Sequence, residues 1–151
     1  MGFIETTDLS IYHERSQRTE NGPLLYIGGT AGDLRSKPNI MDSPLINDFE
    51  VIAYDQRGLG QTSKSENPYT MKNYADDAAS FLDALGINKI AVLGASFGGM
   101  VAQEFVLRHP ARVTKLVLAC TSSGGSGGPS YPLHELESLK GEEKIEKILR
   151  L

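Results

Sequence analysis

Lys89-Ile90-Ala91-Val92-Leu93-Gly94-Ala95-Ser96-Phe97-Gly98-Gly99-Met100-Val101-Ala102-Gln103-Glu104-Phe105-Val106-Leu107 changes character twice within a few residues. Residues 89–93 are a short apolar run of strand type. Residues 99–107 read as a helix with one apolar face. Between them stands Gly94-Ala95-Ser96-Phe97-Gly98, a Gly-x-Ser-x-Gly at a strand-to-helix turn, the setting of a nucleophile elbow. Such a turn holds its serine in a strained backbone conformation and lifts the hydroxyl clear of the sheet. The flanking glycines remove side chains that would collide there. The pentapeptide alone is a frequent coincidence, and a plain Gly-rich turn is the alternative. The strand before it and the helix after it favour Ser96 as a nucleophile.

Outward from this turn the chain alternates strands and helices. Residues 2–6 and 9–15 read as two short strands joined by a turn at Thr7-Asp8. Leu24-Leu25-Tyr26-Ile27 is an unbroken apolar run, as expected of a strand buried on both faces, and the Gly-rich Gly28-Gly29-Thr30-Ala31-Gly32 follows it. Residues 38–48 suggest a weak, broken helix, and 49–54 the next strand. Residues 69–85 carry a strong helical pattern. Thr70 is a candidate N-cap, Met71, Tyr74, Ala75, Ala78, Phe81, Leu82 and Leu85 form one apolar stripe, and Gly86 is a stop. The elbow helix is expected to run to Arg108, ahead of Pro110. Residues 113–120 are expected to form a buried strand, with Cys120 an inert core thiol. Strands and helices in alternation predict an α/β fold with a mostly parallel sheet. Residues 1–121 are read as its core. Residues 122–131 turn Ser/Gly-rich, a linker or loop. Residues 133–151 look helical and amphipathic, with Leu136, Leu139, Ile145, Ile148 and Leu149 on one side and Gly141 as a potential break. That segment is either a solvated helix or the start of a substrate lid.

Composition narrows the function classes. At 40% hydrophobic and 23% charged residues the chain can build a core, and a net charge of −4 gives no basic surface for nucleic acid or an anionic membrane. No apolar run reaches transmembrane length. The single cysteine permits no internal disulfide, and the first residues lack the basic and apolar regions of a secretory signal. A cytoplasmic setting is expected. No metal or cofactor signature is read.

Three motifs, in order and spacing, resemble the N-terminal part of α/β-hydrolase-fold enzymes: Ile27-Gly28-Gly29-Thr30-Ala31-Gly32-Asp33, Asp55-Gln56-Arg57-Gly58-Leu59-Gly60-Gln61-Thr62-Ser63, and the elbow. The second is similar to the family's D-x-R-G-x-G-x-S loop. The likeness extends to Arg108-His109-Pro110 and Lys115-Leu116-Val117-Leu118 and covers residues 1 to about 125. It points to the branch holding esterases, lactonases, proline iminopeptidases and non-haem haloperoxidases. Serine at 96 argues against haloalkane dehalogenases and epoxide hydrolases, which carry aspartate there. The resemblance implies an acyl-enzyme on Ser96, with the backbone N–H groups of Phe97 and Thr30 as oxyanion donors. Related enzymes usually have His-Gly where this chain has Gly28-Gly29, and a plain turn is the alternative for that loop. Asp55 and Arg57 are read as structural, holding a tight loop by hydrogen bonds and an ion pair, with Gly58 and Gly60 supplying unusual backbone angles.

A serine nucleophile needs a base and an orienting acid, in the chain order serine, acid, histidine. His109 is roughly 20 Å from Ser96 at 1.5 Å per residue, and suits a helix C-terminus instead. His134 lies in the tail, and Glu104, the one carboxylate between it and Ser96, sits about 12 Å down the elbow helix. His13 is on the first hairpin. The expectation is a core truncated after the strand ending at Cys120, lacking catalytic acid and histidine. Such a chain would be a poor catalyst alone and prone to self-association or dependence on a second chain. The rival is a non-catalytic ligand-binding or interaction module with a relic elbow.

Overall fold

The apolar runs on either side of the Gly-rich loop and the elbow become the middle of a single sheet. The computed structural model describes residues 1–66, 69–124 and 138–149. Its strands are β1 (Gly2–Glu5), β2 (Ser10–Arg15), β3 (Pro23–Ile27), β4 (Glu50–Tyr54), β5 (Ile90–Ala95) and β6 (Val113–Ala119), and its α-helices α1 (Leu45–Asp48), α2 (Met71–Ala84), α3 (Phe97–Arg108) and α4 (Gly141–Leu149). The strand order is β1-β2-β4-β3-β5-β6. β1 pairs antiparallel with β2 and β2 antiparallel with β4, while β4, β3, β5 and β6 run parallel. The α/β, mostly parallel architecture expected from the sequence is therefore the one observed.

Burial follows position. Every residue of β4 is buried, and in β3 so are Leu24, Leu25 and Ile27. Leu25, Ile27, Ile52, Ile90 and Val92 face one cluster with Ala75, Ala78, Phe81 and Leu82 of α2 and Val101, Ala102 and Phe105 of α3. The fully enclosed Leu, Ile, Val and Phe side chains among them are each worth about 1.5–3 kcal/mol of burial. α2 starts where expected, the Thr70 hydroxyl accepting from the Asn73 N–H at 3.2 Å, and Gly86 at φ +69 ends it. Residues 38–48 are broken into a 3-10 turn (Ile40–Asp42) and the single turn α1. Asn39 caps the former in a reciprocal capping box with Asp42.

Two expectations are corrected. The strand at 113–119 is not buried: Leu116, Val117 and Leu118 are 37%, 54% and 42% exposed. Among the described residues β6 is the last strand of the sheet and pairs with β5 alone, so one edge and much of both faces stay open. Cys120 is exposed, not a core thiol, because the strand ends at Ala119 and the backbone turns to φ +50 at the cysteine.

The chain divides into two units, Met1–Thr121 and Ser122–Leu151. In the second unit α4 begins at Gly141, whose φ is +56. Leu139 and Lys140 precede the helix and are not part of it. The sequence reading has a helix from 133 with Gly141 as a potential break; α4 begins at that glycine, and residues 133–137 lie outside the described residues. His134 and Leu136 lie outside the described residues. Among the described residues no helix is long and apolar enough to cross a membrane.

Candidate active site

Parallel strands β3, β4 and β5 all end on the same edge of the sheet, so the loops leaving them meet there. Residues 28–32 leave β3, residues 55–63 leave β4, and Ser96 leaves β5. The register pairs Ile27 with Gly94, which sets Gly28-Gly29 beside Ala95-Ser96. This edge is where ligands bind in open α/β sheets.

Ser96 has φ +53 and ψ −122, a region that non-glycine residues rarely enter. Three hydrogen bonds over-determine it. Its N–H donates to the Ala119 carbonyl at 2.9 Å, and its own carbonyl accepts from the Gly99 N–H at 2.9 Å and the Thr121 hydroxyl at 2.7 Å. Strain of this kind costs on the order of 1–3 kcal/mol and persists only under such support. The side chain is exposed, and its Oγ has no hydrogen-bond partner among the described residues.

The glycines around Ser96 are required by contact. A Cβ on Gly94 would lie 2.6 Å from the Gly98 carbonyl oxygen, one on Gly98 would lie 2.1 Å from that of Ile27 and 2.3 Å from that of Gly28, and one on Gly99 would meet Thr121 at 2.6 Å. None of the three has a positive φ. Their absent side chains let α3 press against the ends of β3 and β5. A Cβ on Gly29 would stand 3.3 Å from Ser96 Cβ, so the Gly-rich loop touches the serine.

Residues 29–32 form a turn closed by the Gly32 N–H to the Gly29 carbonyl at 3.2 Å, with Ala31 at φ +56. Thr30 is a central residue of that turn. Neither its N–H nor that of Phe97, the first residue of α3, has a protein acceptor among the described residues. The Phe97 ring packs edge-on against Tyr74 of α2, centroids 5.2 Å apart.

The loop after β4 is structural, but its pairing differs from the expectation. Asp55 does not pair with Arg57. Its carboxylate accepts from the Leu34 and Gln61 N–H groups, each at 2.8 Å, and burial raises its pKa above the ordinary carboxylate value. Gly60, at φ +50, must be glycine because a Cβ would fall 2.1 Å from Asp55 Oδ2. Arg57 instead makes two bonds to Asp77 of α2, at 2.6 and 2.7 Å, with the arginine side chain almost wholly enclosed. The bond to Asp77 holds the guanidinium firmly protonated. Asp77 lies three residues after Tyr74 and four before Phe81, on the margin of the apolar stripe. A lone carboxylate there is the signal that a buried cation faces it.

Gln56 is the other residue that sequence reasoning left without a role. Its Nε2 donates to the Gly28 carbonyl at 2.8 Å and so holds the start of the Gly-rich loop. Nothing periodic marks it, since it is the second residue of a loop.

No described histidine reaches Ser96. His109 caps α3, its Nε2 3.0 Å from Asp76 Oδ1. His13 sits on β2 against Phe81, with Nδ1 buried and unpartnered, and burial depresses its pKa. Among the described residues no group of three His, Cys, Asp or Glu could hold a metal ion.

The site is thus a strained, exposed serine between a parallel strand and a helix, set beside a Gly-rich loop from the neighbouring strand. The chain belongs to the alpha/beta hydrolase fold family, which it matches over residues 22–140. It is 37% identical over 110 residues to the poly(3-hydroxyalkanoate) depolymerase of Ectopseudomonas oleovorans, covering 73% of this chain and 38% of that protein. It is 34% identical over 116 residues to the 2-hydroxymuconate semialdehyde hydrolase of Pseudomonas sp. CF600, covering 75% and 39%. Among solved structures, the meta-cleavage product hydrolase of Pseudomonas fluorescens IP01 superposes with a TM-score of 0.81 at 22% identity, over 99% of this chain and 56% of that one. The chain thus spans about two fifths of the length of the curated relatives it matches.

Proposed function

We propose that the chain carries the nucleophile and oxyanion elements of a serine hydrolase acting on an ester, lactone or amide of a small molecule. Ser96 Oγ attacks the carbonyl carbon, the C=O electron pair moves onto oxygen, and the N–H groups of Phe97 and Thr30 receive the oxyanion. The leaving group departs and an acyl-Ser96 ester remains for water to hydrolyse. The Oγ proton must pass to a base, which in this reading comes from residues outside those described.

The observation that carries the reading is the backbone of Ser96. A strained φ of +53 held by three hydrogen bonds, with the hydroxyl left exposed and unpartnered, is unneeded by a plain turn. The relatives' names point the same way: a depolymerase of a poly(3-hydroxyalkanoate) and a semialdehyde hydrolase. A cytoplasmic setting belongs to this reading, supported by the lone, unpaired Cys120.

The test is labelling of the intact protein with a fluorophosphonate, and burst acylation by p-nitrophenyl acetate. Both should occur and both should vanish in Ser96→Ala. Hydrolysis by Ser96→Ala at the wild-type rate refutes the assignment. The lack of any described histidine near Ser96 favours one second reading, a ligand-binding module with an inert elbow. It predicts no labelling of the intact protein at all.

A further inference from the structure

The Ser96 carbonyl accepts two hydrogen bonds, one for each lone pair of its oxygen. The Gly99 N–H donates at 2.9 Å, a three-residue bond of the kind that any helix start can make. The other comes from 25 residues away, the Thr121 hydroxyl at 2.7 Å. Two features of the backbone make room for it. β6 ends at Ala119, opposite Ala95, and Cys120 then takes φ +50, so that the next residue reaches Ser96. A non-glycine residue enters that region only at a cost. Gly99 supplies the space, since a Cβ there would lie 2.6 Å from Thr121 Cβ, Cγ2 and Oγ1 alike.

The peptide to which this carbonyl belongs gives the bond its consequence. The Ser96–Phe97 peptide is trans and planar, so its C=O and N–H point in opposite directions as one rigid unit. Whatever fixes the Ser96 oxygen therefore fixes the direction of the Phe97 N–H. That N–H has no protein acceptor among the described residues. A hydrogen bond accepted at the carbonyl also polarises the peptide and makes its N–H a stronger donor.

We infer that Thr121 is a positioning residue for the oxyanion: its hydroxyl aims and strengthens the Phe97 N–H without touching the substrate. The inference rests on the serine-hydrolase reading of Ser96. It brings β6 into the site, because Thr121 follows that strand while Ser96 and Phe97 follow β5. The bond counts when negative charge forms on the substrate oxygen, and little while the carbonyl is still neutral.

The experiment uses the intact protein, p-nitrophenyl acetate, and the thiono analogue in which sulfur replaces the carbonyl oxygen. Sulfur accepts hydrogen bonds weakly, so the thionoester draws little from an oxyanion donor. Thr121→Val keeps the shape of the side chain and removes its hydroxyl. The saturating acylation rate with the ester should fall about five- to tenfold, less than the roughly 10²–10³ lost when a donor is removed outright. The ester concentration at half-saturation should stay unchanged, and the thionoester rate should fall by less than about twofold. Thr121→Ser should bring the ester rate back to near wild type. If Thr121→Val does not fold, Thr121→Ser and Thr121→Ala, which differ by the hydroxyl alone, decide by the same comparison. A near-wild-type ester rate in Thr121→Val overturns the inference, as does a Thr121→Ser protein as slow as Thr121→Val. An equal fall for ester and thionoester also overturns it, and makes Thr121 a structural support of the turn alone. These results leave the hydrolase reading standing. If the wild-type protein is acylated by neither probe, that reading fails and the positioning role fails with it.

Discussion

Gly98→Ala should be one of the most damaging single-methyl additions in this molecule, and the structure says by how much. The new Cβ would lie 2.1 Å from the Ile27 carbonyl oxygen and 2.3 Å from the Gly28 carbonyl oxygen, short of ordinary contact by over an ångström. Neither oxygen can step aside. Ile27 is fixed in β3 between β4 and β5, and the Gly28 carbonyl is held by Gln56. Overpacking costs about 1–3 kcal/mol, and backbone obstacles put this site at the top of that range. Helix propensity returns about 1 kcal/mol for replacing glycine by alanine. The net loss should be about 2 kcal/mol. At 2–4 °C per kcal/mol for a chain near this length, the melting temperature should fall about 4–8 °C. Gly28→Ala is the control: its Cβ meets Tyr26 at an ordinary 3.6 Å, so the change should stay within about 0.5 kcal/mol. Thermal and urea unfolding followed by circular dichroism measures both. A Gly98→Ala protein melting within a degree or two of wild type, or a Gly28→Ala protein falling as far, would sink the claim that contact, and not backbone freedom, demands glycine beside Ser96.

Ser96→Gly should raise stability by up to about 2 kcal/mol while removing any acylation, because glycine adopts φ +53 without strain; urea midpoints check this, and a clear loss of stability contradicts it. Asp77→Ala should cost about 3–5 kcal/mol by leaving Arg57 buried and uncompensated. An Arg57→Met, Asp77→Leu double variant should recover much of that loss, and equal damage in both proteins would refute the ion-pair account. Burial holds the folded-state pKa of His13 below its ordinary 6.5. The unfolded chain therefore takes up its proton first, so stability should be unaffected above pH 6.5 and fall as pH drops from there through the lower folded value. His13→Phe should flatten that part of the pH profile, and an unchanged profile would show that other groups set it. Val117→Lys, on the exposed edge strand β6, should reduce self-association of the chain at micromolar concentration in light scattering; a monodisperse wild-type chain would remove the premise.

The fold was legible where local signals and burial agree. Leu24-Leu25-Tyr26-Ile27 and residues 90–93 are short, apolar runs of strand type, and they form β3 and β5; β5 buries Ile90 and Val92 and leaves Ala91 and Leu93 half-buried. α2 announces itself at both ends, through Thr70 and Gly86, and along its stripe. The same reasoning misjudged β6 and Cys120, because apolar composition reports what a strand could bury and not whether a neighbour arrives to cover it. Val117 has the residue type of a central strand and the surroundings of an edge.

The candidate site was legible for a different reason. Ser96 is named by a turn whose covalent geometry is nearly self-sufficient: a strand, a strained residue, a helix and small residues at each contact, all within a dozen positions. The Arg57–Asp77 pair and the hold of Gln56 on Gly28 join positions 20 and 28 residues apart, and no local pattern announces a contact across that separation. Yet those contacts place the loop that faces the serine. Gln56 fixes the Gly28 carbonyl from one side, and Gly98 leaves room for it from the other. The Gly28 peptide is therefore clamped between the loop after β4 and the first turn of α3, without help from a side chain at 28. A clamp of this kind makes a testable order of effects: Gln56→Leu should disturb the Gly28 and Gly29 amide signals more than those of Ser96 and Phe97. The three bonds that hold Ser96 come from Ala119, Gly99 and Thr121, and not from Gln56. Equal disturbance of both groups would mean that the Gly-rich loop and the turn at Ser96 move as one piece, and that the two are not positioned independently.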